Sequence, residues 1–180
     1  MKKPLSILVF IGSSFSFIHA QDKGTMCKAD MLANKPDVVV QKDFTNISKV
    51  EGISISVEQI MSSNGVSSVE KLSALDLEYT FIGTGGSTVV SVLLDPDETD
   101  AVISFIQNLS DNIFKTPAPP GDREYSFLSK SGFEIGCYWN KGWNTYVKLD
   151  THNTHTNVEL NRESLMVFQS FLKQARTKML

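Results

Sequence analysis

Apolar and polar residues alternate strictly in two stretches of the chain. In Ile53-Ser54-Ile55-Ser56-Val57-Glu58 every second residue is apolar, and in Leu75–Phe81 the apolar set is Leu75, Leu77, Tyr79 and Phe81. A strand sends successive side chains to opposite faces, so each stretch predicts a half-buried strand. Val38–Val40 predicts a short strand before them. Ser62–Lys71, with Asn64-Gly65 and several serines, reads as a loop. Gly83-Thr84-Gly85-Gly86 reads as the turn into a further strand, Thr88–Leu94. A glycine cluster that joins two strands, with no lysine after it, lacks the strand-to-helix setting of a phosphate loop.

At Asp95 the period changes. Asp95 is placed to cap a helix, Pro96 sits where its missing N–H costs nothing, and Glu98 can close a capping box. Ala101, Val102, Phe105, Ile106 and Leu109 then form one apolar stripe. The same grammar returns in Thr154–Ala175. Val92 falls on Val158, Leu94 on Leu160, Ser104 on Ser170, Phe105 on Phe171, and the cap Asp95 on Asn161. The second stripe is Leu165, Phe168, Phe171, Leu172 and Ala175. This pattern reads as a duplicated strand–helix module and predicts that Phe105 and Phe171 are buried at equivalent positions.

Between the two modules, Tyr125–Lys130, Phe133–Trp139 and Trp143–Leu149 read as strands. Trp139-Asn140-Lys141-Gly142-Trp143 fits a three-residue hairpin loop with Gly142 in the left-handed region. That register sets Trp139 against Trp143, Cys137 against Thr145, Ile135 against Val147 and Phe133 against Leu149 on one face. On the other it sets Glu134 against Lys148, and Gly136 under Tyr146. The fold class is therefore α+β: antiparallel sheet from two similar β-strand/α-helix repeats, helices packed on one face, with a pseudo-two-fold between halves. Residues 36–116 form the first repeat, 117–122 a proline-rich connector and 123–180 the second repeat, with 36–180 as one compact domain.

The ends and the charge narrow the setting. Lys2 and Lys3, the apolar Leu5–Ile18 and Ala20 before Gln21 give residues 1–20 the form of a signal peptide, followed by a flexible leader over 21–35. The expected location is exported, periplasmic or extracellular, with no membrane span after cleavage. With 17 Lys+Arg against 20 Asp+Glu and no basic block, the chain lacks the charge that phosphate-backbone binding requires, so no nucleic-acid partner is expected. Cys27 and Cys137 form the candidate disulfide in an oxidising compartment; the alternative is a packed, inert Cys137 and a free Cys27.

Candidate chemistry is sparse. Asp150-x-His152-x-x-His155 is the one ligand-like spacing, and these three residues form the candidate metal site. Tyr138, Trp143 and Tyr146, outward or at a strand end in the hairpin register, form the candidate ligand-binding surface. No nucleophile motif stands out, so no catalytic residue and no cofactor is assigned.

The run S-K-S-G-F-E-I-G-C-Y-W at Ser129–Trp139, with the capped terminal helix, resembles uncharacterised exported proteins of Bacteroidetes-type bacteria over the last third of the chain. That resemblance implies the exported compartment. Two copies of several antiparallel strands followed by one helix is also similar to the Pur-alpha and whirly single-strand-binding folds. The chain departs from them in net charge, export and the lack of basic strand faces, so the resemblance implies a layout and not nucleic-acid binding. The expected function is a non-enzymatic binding or envelope-assembly module for a protein, glycan or lipid ligand. The alternative is a small metal-dependent hydrolase or metal-binding protein built on Asp150, His152 and His155.

Overall fold

In the computed structural model the described residues are 26–63, 69–83 and 86–179. The expected signal peptide, and the leader as far as residue 25, lie outside them. The element order is α1 (Lys28–Ala33), β1 (Val39–Val50), β2 (Ile53–Ser63), β3 (Val69–Gly83), β4 (Gly86–Leu94) and α2 (Pro96–Asp111). A 3-10 turn (Ile113–Lys115), β5 (Glu124–Leu128), β6 (Glu134–Trp139), β7 (Trp143–Lys148), a second 3-10 turn (Thr154–Thr156), β8 (Asn157–Leu160) and α3 (Arg162–Arg176) follow. The strands form two four-stranded antiparallel sheets, β1-β2-β3-β4 and β5-β6-β7-β8, so the α+β class holds. Among the described residues no helix is long and apolar enough to cross a membrane.

Alternation sets which face of the first sheet is buried. Ile53, Ile55 and Val57 of β2 pair with Tyr79, Leu77 and Leu75 of β3. With Val92 and Leu94 of β4 they meet Val102, Ile106 and Leu109 of α2, and Phe168, Leu172 and Ala175 of α3. Ile135, Cys137 and Val147 of the second sheet join the same core, so the halves share one apolar interior. Buried Gln169 of α3 donates from Nε2 to Ile103 O of α2 (3.0 Å) and to Gln107 Oε1 (3.2 Å), which ties the helices together. Burial agrees across the sequence repeat at Val92 and Val158, Leu94 and Leu160, Val102 and Phe168, Ile106 and Leu172, and Leu109 and Ala175. Phe105 and Phe171 also correspond, but both are only half-buried at the margin of the core. Each lies beside the buried stripe of its helix, and Phe105 packs at its edge on Phe127 (6.4 Å between ring centroids).

Four other expectations change. Residues 26–35 are not a flexible leader. They include α1, and its N-cap Cys27 together with Ala29 and Leu32 is buried against Ile60, Ala74 and Leu93 on the opposite face of the first sheet. The short strand expected at Val38–Val40 is the start of the twelve-residue β1, and the loop expected over Ser62–Lys71 is narrower, because β2 runs to Ser63 and β3 begins at Val69. Glu51 (φ 45°) and Gly52 (φ 87°) form the two-residue turn between β1 and β2, a geometry that asks for positive φ at both positions. Finally, Cys27 and Cys137 are both free and buried, one under α1 and the other in the main core. The candidate disulfide is not formed, because the two thiols belong to separate apolar clusters.

The predicted register of the β6–β7 hairpin is observed from Trp139 opposite Trp143 to Glu134 opposite Lys148, while the expected pair of Phe133 and Leu149 lies just beyond the ends of the two strands. Its loop differs from expectation. The left-handed position falls on Lys141 (φ 56°) and not on Gly142. Asn140 N–H donates to Gly142 O (2.8 Å) and Asn144 Nδ2 donates to the same carbonyl (3.0 Å), so the chain reverses around Gly142 with the middle residue taking the strained conformation. Gly136 is the demanding position instead. A Cβ there would lie 2.6 Å from the Tyr146 hydroxyl oxygen and 2.8 Å from the Tyr125 carbonyl oxygen, whereas one on Gly142 would meet nothing within 4 Å. Gly136→Ala is expected to cost about 1–3 kcal/mol in urea unfolding, as overpacked interiors do. Gly142→Ala should stay within about 0.5 kcal/mol, as at an open surface site. Equal losses would reject this assignment.

Candidate functional site

The groups assigned from sequence are dispersed. Asp150 Oδ1 accepts the backbone N–H of His152 (2.9 Å), and Asn153 Oδ1 accepts that of His155 (3.0 Å), so both acceptors shape the loop. The His155 ring stacks on Phe81 at 5.4 Å. Among the described residues the one trio of His, Cys, Asp or Glu whose ligand atoms lie within 4.8 Å of one another is Cys27, Asp95 and Glu98; Asp150, His152 and His155 do not converge in this way.

That trio is a capping junction. Asp95 Oδ2 and Oδ1 accept the backbone N–H groups of Lys28 (2.9 Å) and Ala29 (3.1 Å) at the start of α1. Glu98 Oε2 accepts the Asp95 N–H (3.1 Å) and its Oε1 the Lys130 N–H (2.8 Å). Burial pushes the Cys27 thiol up to about 12, and that of Cys137 up to about 11, so both are protonated and poor as nucleophiles or ligands. The remaining buried acids are also engaged. Asp76 accepts from Ser91 Oγ (2.7 Å) and Ser56 Oγ (3.2 Å), and burial raises its pKa. Glu58 Oε1 lies 2.8 Å from Lys42 Nζ.

The aromatic assignments separate. Tyr146, expected to offer an outward ring, is 4% exposed. Its ring lies over Gly136, and its hydroxyl is within hydrogen-bond distance of Glu134 Oε1 (2.5 Å) and also of Glu124. Lys148 Nζ sits 4.6 Å from the ring centroid. Burial, and then the two carboxylates, hold the phenol protonated far above its ordinary range. Tyr146 is therefore a packing residue and not a free binding face. Tyr138 is half-buried, 6.3 Å from the Tyr146 ring, in a shallow depression with Arg123, Glu124 and Lys141.

Trp143 belongs to a cleft of about 570 Å³ at the turn end of the second sheet. The hairpin sets Trp139 directly opposite Trp143, and their rings meet edge to face at 5.3 Å. Tyr125 on β5 packs on Trp143 at 5.7 Å. On the far side, β8 pairs with β7, and Thr145 Oγ1 donates to Leu160 O (2.5 Å). β8 runs straight into α3, where Asn161 Oδ1 caps the Ser164 N–H (2.8 Å) and Arg162 is the first helical residue. The 3-10 turn after α2 supplies Phe114, whose ring centroid lies 5.6 Å from the Arg162 guanidinium carbon. Glu159 and Arg162 both line the cleft and form no ion pair among the described residues. Trp143 Nε1 is a buried donor without a partner among the described residues.

Of the cleft residues, sequence reasoning singled out Trp143 as a ligand group and placed Trp139 only as its strand partner. Phe114, Glu159 and Arg162 carried no sequence signal, since they join the site through the packing of three separated elements. No protein-family model, curated protein or solved structure matches the chain.

Proposed function

We propose that the chain is an exported, non-enzymatic binding module whose ligand site is the cleft between the second hairpin and the start of α3. The observation that carries this reading is the meeting of Trp139, Trp143 and Phe114 with Glu159 and Arg162 in one concavity of about 570 Å³. Apolar, aromatic walls with a few convergent polar groups are the usual make-up of a small-molecule site. The buried acids and thiols described above act as caps, hydrogen-bond acceptors or packed groups, which favours binding over catalysis. The form of residues 1–20 and the resemblance to exported bacterial proteins support the compartment.

A thermal-shift screen of soluble metabolites, oligosaccharides, short peptides and fatty acids tests the reading. A ligand present at 100 times its Kd stabilises the folded state by about 2.7 kcal/mol. At least one compound is expected to raise the Tm of the wild type and to leave that of Arg162→Ala unmoved. Turnover of an ester, amide or phosphoester substrate by the purified chain would displace this function in favour of an enzyme.

A further inference from the structure

Four strands border the two sheets, and three of them are guarded against pairing with a further strand. β1 carries Lys42, Asp43 and Lys49 and is interrupted by a register shift between Asn46 and Ser48. β5 and β8 are short, with five and four residues, and carry Glu124 and Glu159. Charge, irregularity and shortness are the usual devices that keep an open row of N–H and C=O groups from adding another chain. β4 has none of them. Its nine residues hold no charge and no proline, and they pair with β3 without a shift. Thr88, Val89, Val90 and Val92 are β-branched, which suits a strand. Among the described residues no backbone group of Gly86–Ser91 bonds to anything outside the ladder with β3. Towards the other end Leu93 O accepts from Cys27 Sγ (3.5 Å), so the open stretch stops short of α1.

We infer that the β4 edge is an interface between two copies of this chain, joined antiparallel about a two-fold so that their first sheets become one continuous sheet. This surface belongs to the first sheet and does not depend on the cleft in the second. In such a pairing directly opposite residues share a face, and the two-fold sets one residue against its own copy. With Val89 at that point, Ser87 faces Ser91 of the second copy and Thr88 faces Val90. No charge then meets a like charge. Val89 is 59% exposed and Ile82 89% exposed. Val89 lies opposite Thr80, and Ile82 opposite Ser87, so the two exposed side chains are diagonal neighbours on one face. The two-fold extends them into a band of four in which each Val89 covers the other. Pairing β4 with β1 of another copy would set it against Lys42, Asp43 and the register shift. That heterologous contact would also run on into a filament, whereas self-pairing of one edge closes at two copies.

The contact is short, so a Kd in the micromolar range is expected, read by sedimentation equilibrium and light scattering from about 1 to about 100 µM protein. The full chain, after signal removal, is expected to show one monomer–dimer equilibrium. Val89→Lys and Ser87→Lys place charges at and beside the two-fold, and each is expected to weaken association about tenfold or more. Phe44→Lys, on β1 and equally exposed at 59%, is expected to leave it unchanged. Melting curves identify a variant that fails to fold; Ser87 and Val89 are both exposed, so either carries the comparison alone. A wild type that stays monomeric at every concentration overturns the inference, whatever else covers the edge. So does a dimer that persists in both β4 variants, or one that is lost in Phe44→Lys. Species that keep growing with concentration mean an open assembly and overturn the two-fold.

Discussion

Phe168→Ala is expected to lower the stability of the chain by about 3–5 kcal/mol, measured by urea unfolding followed by circular dichroism. Phe168 is 0% exposed and sits on the stripe of α3 that faces the shared core. Truncation there removes the apolar transfer energy of the ring and leaves a cavity. The cavity is bounded by parts of both halves, so no single element can shift to fill it. Phe171, one turn further along and only half-buried, should lose clearly less on the same change. Equal losses at the two positions would mean that the edge of the core, not its centre, carries the packing.

Asp95→Ala should cost about 2–4 kcal/mol, more than a helix cap usually contributes. Asp95 is 3% exposed, and its two carboxylate oxygens accept the Lys28 and Ala29 amides. Those oxygens hold the beginning of α1, while Glu98 returns a bond to the Asp95 backbone at the head of α2. Removing the carboxylate strands buried donors at α1 as well as weakening α2. Hydrogen exchange at the amides of Lys28 and Ala29 should accelerate together in the variant. Asp95→Asn keeps one acceptor but turns an N–H towards another N–H, so an intermediate loss is expected. A loss below about 0.5 kcal/mol for Asp95→Ala would show that water satisfies these donors and that the junction is ornamental.

The hairpin of β6 and β7 was legible in the sequence residue by residue, because its two faces differ so sharply. A slip of one position would turn Phe133, Ile135 and Cys137 outward and Glu134 inward. The start of β1 was not legible for the opposite reason. From Gln41 to Asn46 both faces are exposed, so no alternation is written into the residues, and the strand is set by pairing with β2. Likewise α1, with six residues, is too short to display a helical period, and its burial depends on Asp95 far along the chain. The loop expectation at Gly142 failed because the turn type assigned to its residues was not the one that the Gly142 carbonyl bonds select. At the candidate site the two indoles could be paired from sequence. The partners that make a cleft of them could not, since Phe114 follows α2 and Arg162 opens α3.

The strand order has a kinetic meaning. In both sheets every strand pairs with its neighbour along the chain, so each sheet is a meander that closes over short loops. Such contacts have low sequence separation and form early, at small cost in loop entropy. The core, however, draws on both halves, and its completion requires the two meanders and their helices to find one another across the proline-rich stretch from Pro117 to Gly121. Before that encounter each half has an uncovered apolar face, the kind of species that associates wrongly. A chain cut within Pro117–Gly121 would therefore yield two fragments with complete hydrogen-bonded sheets and incomplete interiors, stable only in each other's company.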